Sequence, residues 1–148
     1  MHGKKWVGTA ALALFASVAA LEARAEGIRL AVQSDLDWQT TGEGVAFAPL
    51  KGNRFEESYM AMVRLPAGLV SPVHVKSAGM FGLVIAGEMV HLADGRTGTS
   101  EKVLRSGDYY EIPAGLPHLS KCVSQSDCVT FLYQDGPFDF QPVGEGRP

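Results

Sequence analysis

Much that would announce a familiar chemistry is missing from this sequence. It has no Cys-x-x-Cys pair for structural zinc, no glycine-rich phosphate loop and no Ser-His-Asp arrangement. No cluster of lysine and arginine occurs beyond the first residues, and the net charge is −3, which excludes an electrostatic nucleic-acid surface. Sustained helical periodicity is absent from residues 27–148, as are repeats, low-complexity tracts and an interdomain linker. Cysteine is down to two copies. What remains is a chain of 148 residues, 46% hydrophobic and 20% charged, which suits one domain with a core and is too apolar for disorder.

The single long apolar run sits at the N-terminus. "MHGKK" is a short basic segment, "WVGTAALALFASVAAL" is uncharged over 16 residues, and "EARA" ends with small residues at Ala23 and Ala25. This is the layout of a signal peptide over residues 1–25, cut between Ala25 and Glu26. A membrane span needs roughly 20 apolar residues, and no stop-transfer pattern follows, so no membrane association is expected after cleavage. Removal takes three of the 13 basic and one of the 16 acidic residues and leaves the mature chain at −5. The expected location is periplasmic or secreted. Residues 26–142 then read as one domain and 143–148 as a loose tail.

Export bears on the cysteines. Cys122 and Cys128 flank "VSQSD", a stretch of turn formers, so a hairpin would set them within disulfide reach. An oxidising compartment would keep the bond, and a Cys122–Cys128 disulfide is expected.

Short strand-like runs fill the rest: "GIRLAVQ", "VAFAPL", "SYMAMVRL", "MFGLVIAG", "EMVHLA", "KVLRSGDYYEIP" and "CVTFLYQ". Turn residues separate them at Pro66-Ala67-Gly68, Ala93-Asp94-Gly95, Arg105-Ser106-Gly107, Pro113-Ala114-Gly115 and Asp135-Gly136-Pro137. Short strands at regular spacing predict an all-β sandwich or barrel. Alternation puts Met89, His91 and Ala93 on one face of "EMVHLA", and it separates Tyr109 and Glu111 from Tyr110 and Ile112 in "DYYEIP".

Two spaced segments carry more. One runs Gly68, five residues, His74, one residue, Lys76, three residues, Met80, six residues, Gly87. The other runs Gly107, five residues, Pro113, one residue, Gly115, two residues, His118, three residues, Cys122. In this the chain resembles the cupin superfamily, whose motifs are G-x5-H-x-H-x3,4-E-x6-G and G-x5-P-x-G-x2-H-x3-N. "LPAG", "LVIAGEM", "PAGLPHLSKC" and "CVTFLYQDGPFDF" are similar to a smaller group of exported bacterial cupins without a firmly assigned reaction. The resemblance implies a single jelly-roll β-barrel with an internal pocket.

It also implies a divalent metal, such as iron, manganese, nickel or zinc, held by side chains at four positions. Here these are His74, Lys76, Met80 and His118. Two imidazoles remain, but the carboxylate is gone, and a lysine ammonium repels a cation. Two like charges about 4 Å apart cost roughly 4 kcal/mol at an effective dielectric near 20. Lys76 therefore reads as an anion partner or as an acid, base or amine nucleophile in a metal-free pocket. His74, His118 and Met80 also form a His2Met set that would suit copper, Cu(I) above all. His91, Glu111 and Tyr110 are the further pocket candidates, Glu111 being the nearest carboxylate in sequence. The competing readings are a small-molecule-binding cupin, a metal-dependent oxygenase or isomerase, and a non-enzymatic sensor or carrier. Barrel edges would also allow a homodimer.

If the leader is read correctly, mass spectrometry of protein from the periplasm or medium should place the mature N-terminus at Glu26. Full-length protein starting at Met1 in the cytosol would contradict it.

Overall fold

The computed structural model describes residues 27–93 and 101–144; the expected leader, the Asp94-Gly95 turn and the tail from residue 145 lie outside them. The chain falls into two units, Met1–Leu30 and Ala31–Pro148, and among the described residues the strands lie in the second. They are β1 (Gln39–Thr40), β2 (Ala46–Lys51), β3 (Tyr59–Leu65), β4 (His74–Val75), β5 (Met80–Ala86), β6 (Met89–Ala93), β7 (Tyr109–Ile112), β8 (His118–Cys122), β9 (Cys128–Gln134) and β10 (Gln141–Pro142). Among the described residues no helix is long and apolar enough to cross a membrane.

Two of the predicted strand runs behave differently. "GIRLAVQ" forms no strand; the first element is a 3-10 turn at Gln33–Asp35. Alternation of Ile28, Leu30 and Val32 is not enough without a neighbouring ladder to supply hydrogen bonds. "KVLRSGDYYEIP" is interrupted by its own Arg105-Ser106-Gly107 turn, which leaves an isolated Leu104–Met89 bridge and then β7. In turn β8, "HLSKC", is a strand with no apolar run to announce it.

Every pairing is antiparallel. One sheet has the order β1-β2-β3-β9-β5-β7, the other β10-β4-β8-β6. The core follows the period of two: Tyr59, Ala61, Val63 and Leu65 of β3 are buried, as are Thr130, Leu132 and Gln134 of β9. These meet Met80 and Val84 of β5, Met89 of β6 and Ile112 of β7. An all-β jelly-roll barrel is the result.

The Cys122–Cys128 disulfide is present, with Cα atoms 5.7 Å apart. It does not close a hairpin within one sheet as the spacing suggested. Cys122 ends β8 in the smaller sheet and Cys128 begins β9 in the larger one, so the bond ties the two sheets at a corner. Gly87 turns the same corner between β5 and β6 at φ +80°, and a Cβ there would lie 2.8 Å from both the Cys128 Cα and its Sγ. Glycine is required for two reasons, the left-handed backbone and the close approach of the disulfide.

For a loop this short, chain-entropy arguments give the bond about 2 kcal/mol of stability. Reduction should therefore lower the thermal midpoint by about 5–10 °C in scanning calorimetry, and an unchanged midpoint would contradict this role.

Candidate functional site

His74 and Lys76 lie two residues apart at β4 and share a face, which points inward. Lys76 is only 6% exposed. Its ammonium donates to the backbone carbonyl of Asp139 and sits 3.8 Å from the centre of the Phe138 ring, with the Phe140 ring at 5.3 Å. All three partners belong to the segment between β9 and β10, a strap whose Phe138 and Phe140 line the cavity. Burial lowers the Lys76 pKa to about 8; the Asp139 and Glu43 carboxylates resist that fall and Arg54 adds to it.

The strap is fastened at several points. The Asp139 carboxylate accepts the Ser77 N–H, with both oxygens at 3.1 Å, and Asp135 Oδ1 accepts the Gly79 N–H at 2.8 Å. Gln134 Nε2 donates to Pro137 O at 2.7 Å. Phe138 meets Phe47 edge to face at 5.3 Å, and Phe140 stacks on His74 at 4.4 Å. β10 then pairs with β4, Pro142 opposite His74.

The histidines are held in defined tautomers. His74 Nδ1–H donates to Pro72 O at 2.9 Å and His118 Nδ1–H donates to Leu116 O at 2.8 Å. A carbonyl can only accept, so in the neutral rings Nε2 carries the lone pair. His74 faces His118 across the β4–β8 ladder, with ring centres 4.3 Å apart. His91 Nδ1 lies 2.9 Å from Ser120 Oγ, a group that can donate or accept. The Nε2 atoms of His91 and His118 are buried without a hydrogen-bond partner. Burial, reinforced by the neighbouring rings, pushes the pKa of His74 and of His91 down to about 4; His118 is lowered as well, by burial and then by Lys76.

A cavity of about 90 Å³ opens beside these groups, walled by His74, Lys76, Met80, Met89, His91 and Tyr110 among others. Tyr110 lies across Gly82, where a Cβ would fall 2.0 Å from the Tyr110 Cζ; the missing side chain lets the ring reach His91, 4.2 Å away between centres. The Tyr110 hydroxyl lies 3.3 Å from Thr130 Oγ1, and burial pushes its pKa up to about 12. His118 lies behind His74, outside the cavity wall. Glu111 has to be corrected as a pocket candidate. It pairs with Phe81 on the outer face of β7, exposed beside Tyr109, because the inward positions of that strand belong to Tyr110 and Ile112. The strap residues Phe138, Asp139 and Phe140 were not anticipated. Their signal was the aromatic pair in "DGPFDF", apolar residues in a segment with no strand pattern of its own.

The neutral histidines make stability depend on pH. A histidine whose folded pKa lies below its unfolded value of 6.5 favours folding above pH 6.5, and loses that contribution as pH falls towards 4. Urea unfolding between pH 4 and 7 should show stability rising across that window, with a shallower rise in His91→Phe; equal slopes would contradict the buried neutral ring.

The fold is similar to that of solved cupins. The cupin domain of Schizosaccharomyces pombe Cnp3 matches at TM-score 0.57 and 15% identity, covering 70% of this chain and 66% of that one. An RmlC-like cupin from Shewanella frigidimarina matches at TM-score 0.56 and 20% identity, over 80% and 95% of the two chains. The polyketide cyclase RemF from Streptomyces resistomycificus matches at TM-score 0.63 and 15% identity, over 81% and 88%. At these identities the likeness is one of fold. No curated protein matches the chain in sequence. Residues 28–139, most of the chain and nearly all of its barrel, match the model of the ChrR cupin-like domain, and the chain belongs to that family.

Proposed function

We propose that this chain is an exported cupin that binds a small molecule in its barrel cavity and does so without a divalent metal at the superfamily's ligand positions. The observation that carries this reading is the Lys76 ammonium, buried between the Asp139 carbonyl and the Phe138 ring at the position of the second histidine ligand. Export is supported by the leader and by a disulfide that needs an oxidising compartment.

The donor set does not fit iron, manganese or zinc. Two imidazole nitrogens with free lone pairs suit a metal, but the third position holds a cation and the fourth, Met80, a thioether. Glu111, the carboxylate that might have compensated, is on the outer face. Among the described residues no group of three or more His, Cys, Asp or Glu side chains is placed to hold a metal. One further reading has an observation in its favour: His74 and Met80, the latter at 8% exposure, both line the cavity, with the His118 ring against His74, and imidazole and thioether donors are soft enough for Cu(I).

Elemental analysis of protein purified without a histidine tag tests the proposal. Iron, manganese and zinc are expected well below one atom per chain, and a stoichiometric, tightly held divalent metal would overturn it. Uptake of Cu(I) alone would favour the second reading. Lys76→His removes the competing charge and supplies an imidazole, so its zinc affinity should exceed that of the parent by about tenfold or more in a chelator competition.

A further inference from the structure

We infer that the outer face of the six-stranded sheet is the interface of a homodimer, two copies packing face to face about a two-fold axis along β9. Residues two apart share one side of a strand, and the inner side of β3, β9 and β5 supplies the core. The outer side is nearly as apolar. Register sets its side chains in rows across the strands. One row runs Met60, Tyr133 and Phe81 from β3 through β9 to β5; the next runs Met62, Phe131 and Leu83 and reaches Tyr109 on β7.

Leu83 and Ile85 are each 39% exposed and Tyr109 57%. The solvent side of an antiparallel sheet is ordinarily polar. At its β2 end the chain closes this face itself: Ala46 and Ala48 are buried there, and the Arg64 guanidinium lies 4.0 Å from the centre of the Trp38 ring. Among the described residues no such cover lies over Leu83, Ile85 and Tyr109.

The ends of the rows select a second copy as the occupant. Beyond Met60 the first row ends at Lys51 on β2, and beyond Phe81 it ends at Glu111 on β7. Neither has an ion-pair partner among the described residues. A half-turn about β9 lays each row reversed upon its counterpart. Lys51 then faces the partner's Glu111, and Glu111 faces the partner's Lys51. Between them Met60 meets the partner's Phe81 and Met62 the partner's Leu83. The face is thus complementary to itself in charge and in polarity, as an isologous interface requires. The strands of the two sheets stay aligned, one of the two ways in which sheets pack.

Size sets the strength. Four strands about 4.8 Å apart and about five residues of each give the apolar patch roughly 300 Å². A stable dimer takes about 800 Å² from each copy, so the patch is the centre and the charged row ends belong to the rim. The association is reversible, with a dissociation constant on the order of 10 µM.

Sedimentation velocity of the mature, disulfide-bonded protein from about 1 to 300 µM tests this, and a shift from monomer to dimer is expected across that range. Leu83→Lys, a change at an exposed position, should hold the chain monomeric with its thermal midpoint kept. Lys51→Glu and Glu111→Lys should each weaken the dimer about threefold or more, because each sets like charges together twice, and the double variant should recover it. If Leu83→Lys does not fold, the charge variants decide. A parent that stays monomeric, whether the face is bare or something other than a second copy uses it, would overturn the inference. So would a dimer indifferent to a folded Leu83→Lys, or charge variants without the loss and recovery.

Discussion

A protonated amine inside a protein has to be met by an acceptor or by the face of an aromatic ring, and Lys76 has both. That requirement organises one end of the barrel. The strap between β9 and β10 must bring the Asp139 carbonyl and the Phe138 ring to one point, and its remaining fastenings hold it there: Asp135 to Gly79, Asp139 to Ser77, Phe138 to Phe47. Phe140 follows, laid on His74, and sets one wall of the cavity. A charge that looks like a reactive group in the sequence thus serves first as an anchor.

The barrel was readable because its signals are local. Alternating runs became β2, β3, β5, β6 and β9, and the spaced glycines of the two motifs fall at turns: Gly68, Gly87, Gly107 and Gly115 all have positive φ. β8 escaped notice because it is short and polar, and its partners β4 and β6 are far away in sequence. The motif implied that His74, Lys76, Met80 and His118 converge on one interior; all four are buried, and the first three line the cavity while His118 does not. Orientation was another matter. Alternation divides "DYYEIP" into two faces without saying which is inner, and only the ladder with β5, where Tyr110 meets Gly82, decides that Glu111 looks out. The strap contributes no periodic pattern at all, so its partnership with Lys76, 63 residues earlier in the chain, could not be anticipated.

Inside, charge and polarity are arranged in opposite ways. The cation is met by a dipole and a ring, while burial favours the uncharged form of the histidines, whose Nδ1–H groups are spent on backbone carbonyls. Their backbone bonds two residues upstream fix the ring tautomer without the second-shell carboxylate that often holds a metal-bound histidine. Two of the four motif positions, Lys76 and Met80, carry side chains other than the imidazole and carboxylate of the superfamily pattern, on a common scaffold.

The strap lies at the end of the domain, and this gives the fold a direction in time. Chains emerge N-terminus first, so β3, β5 and β6 are all made before residues 138–140 exist. Until those residues arrive, Lys76 has neither its carbonyl nor its rings, and a closed interior would hold an unmet charge.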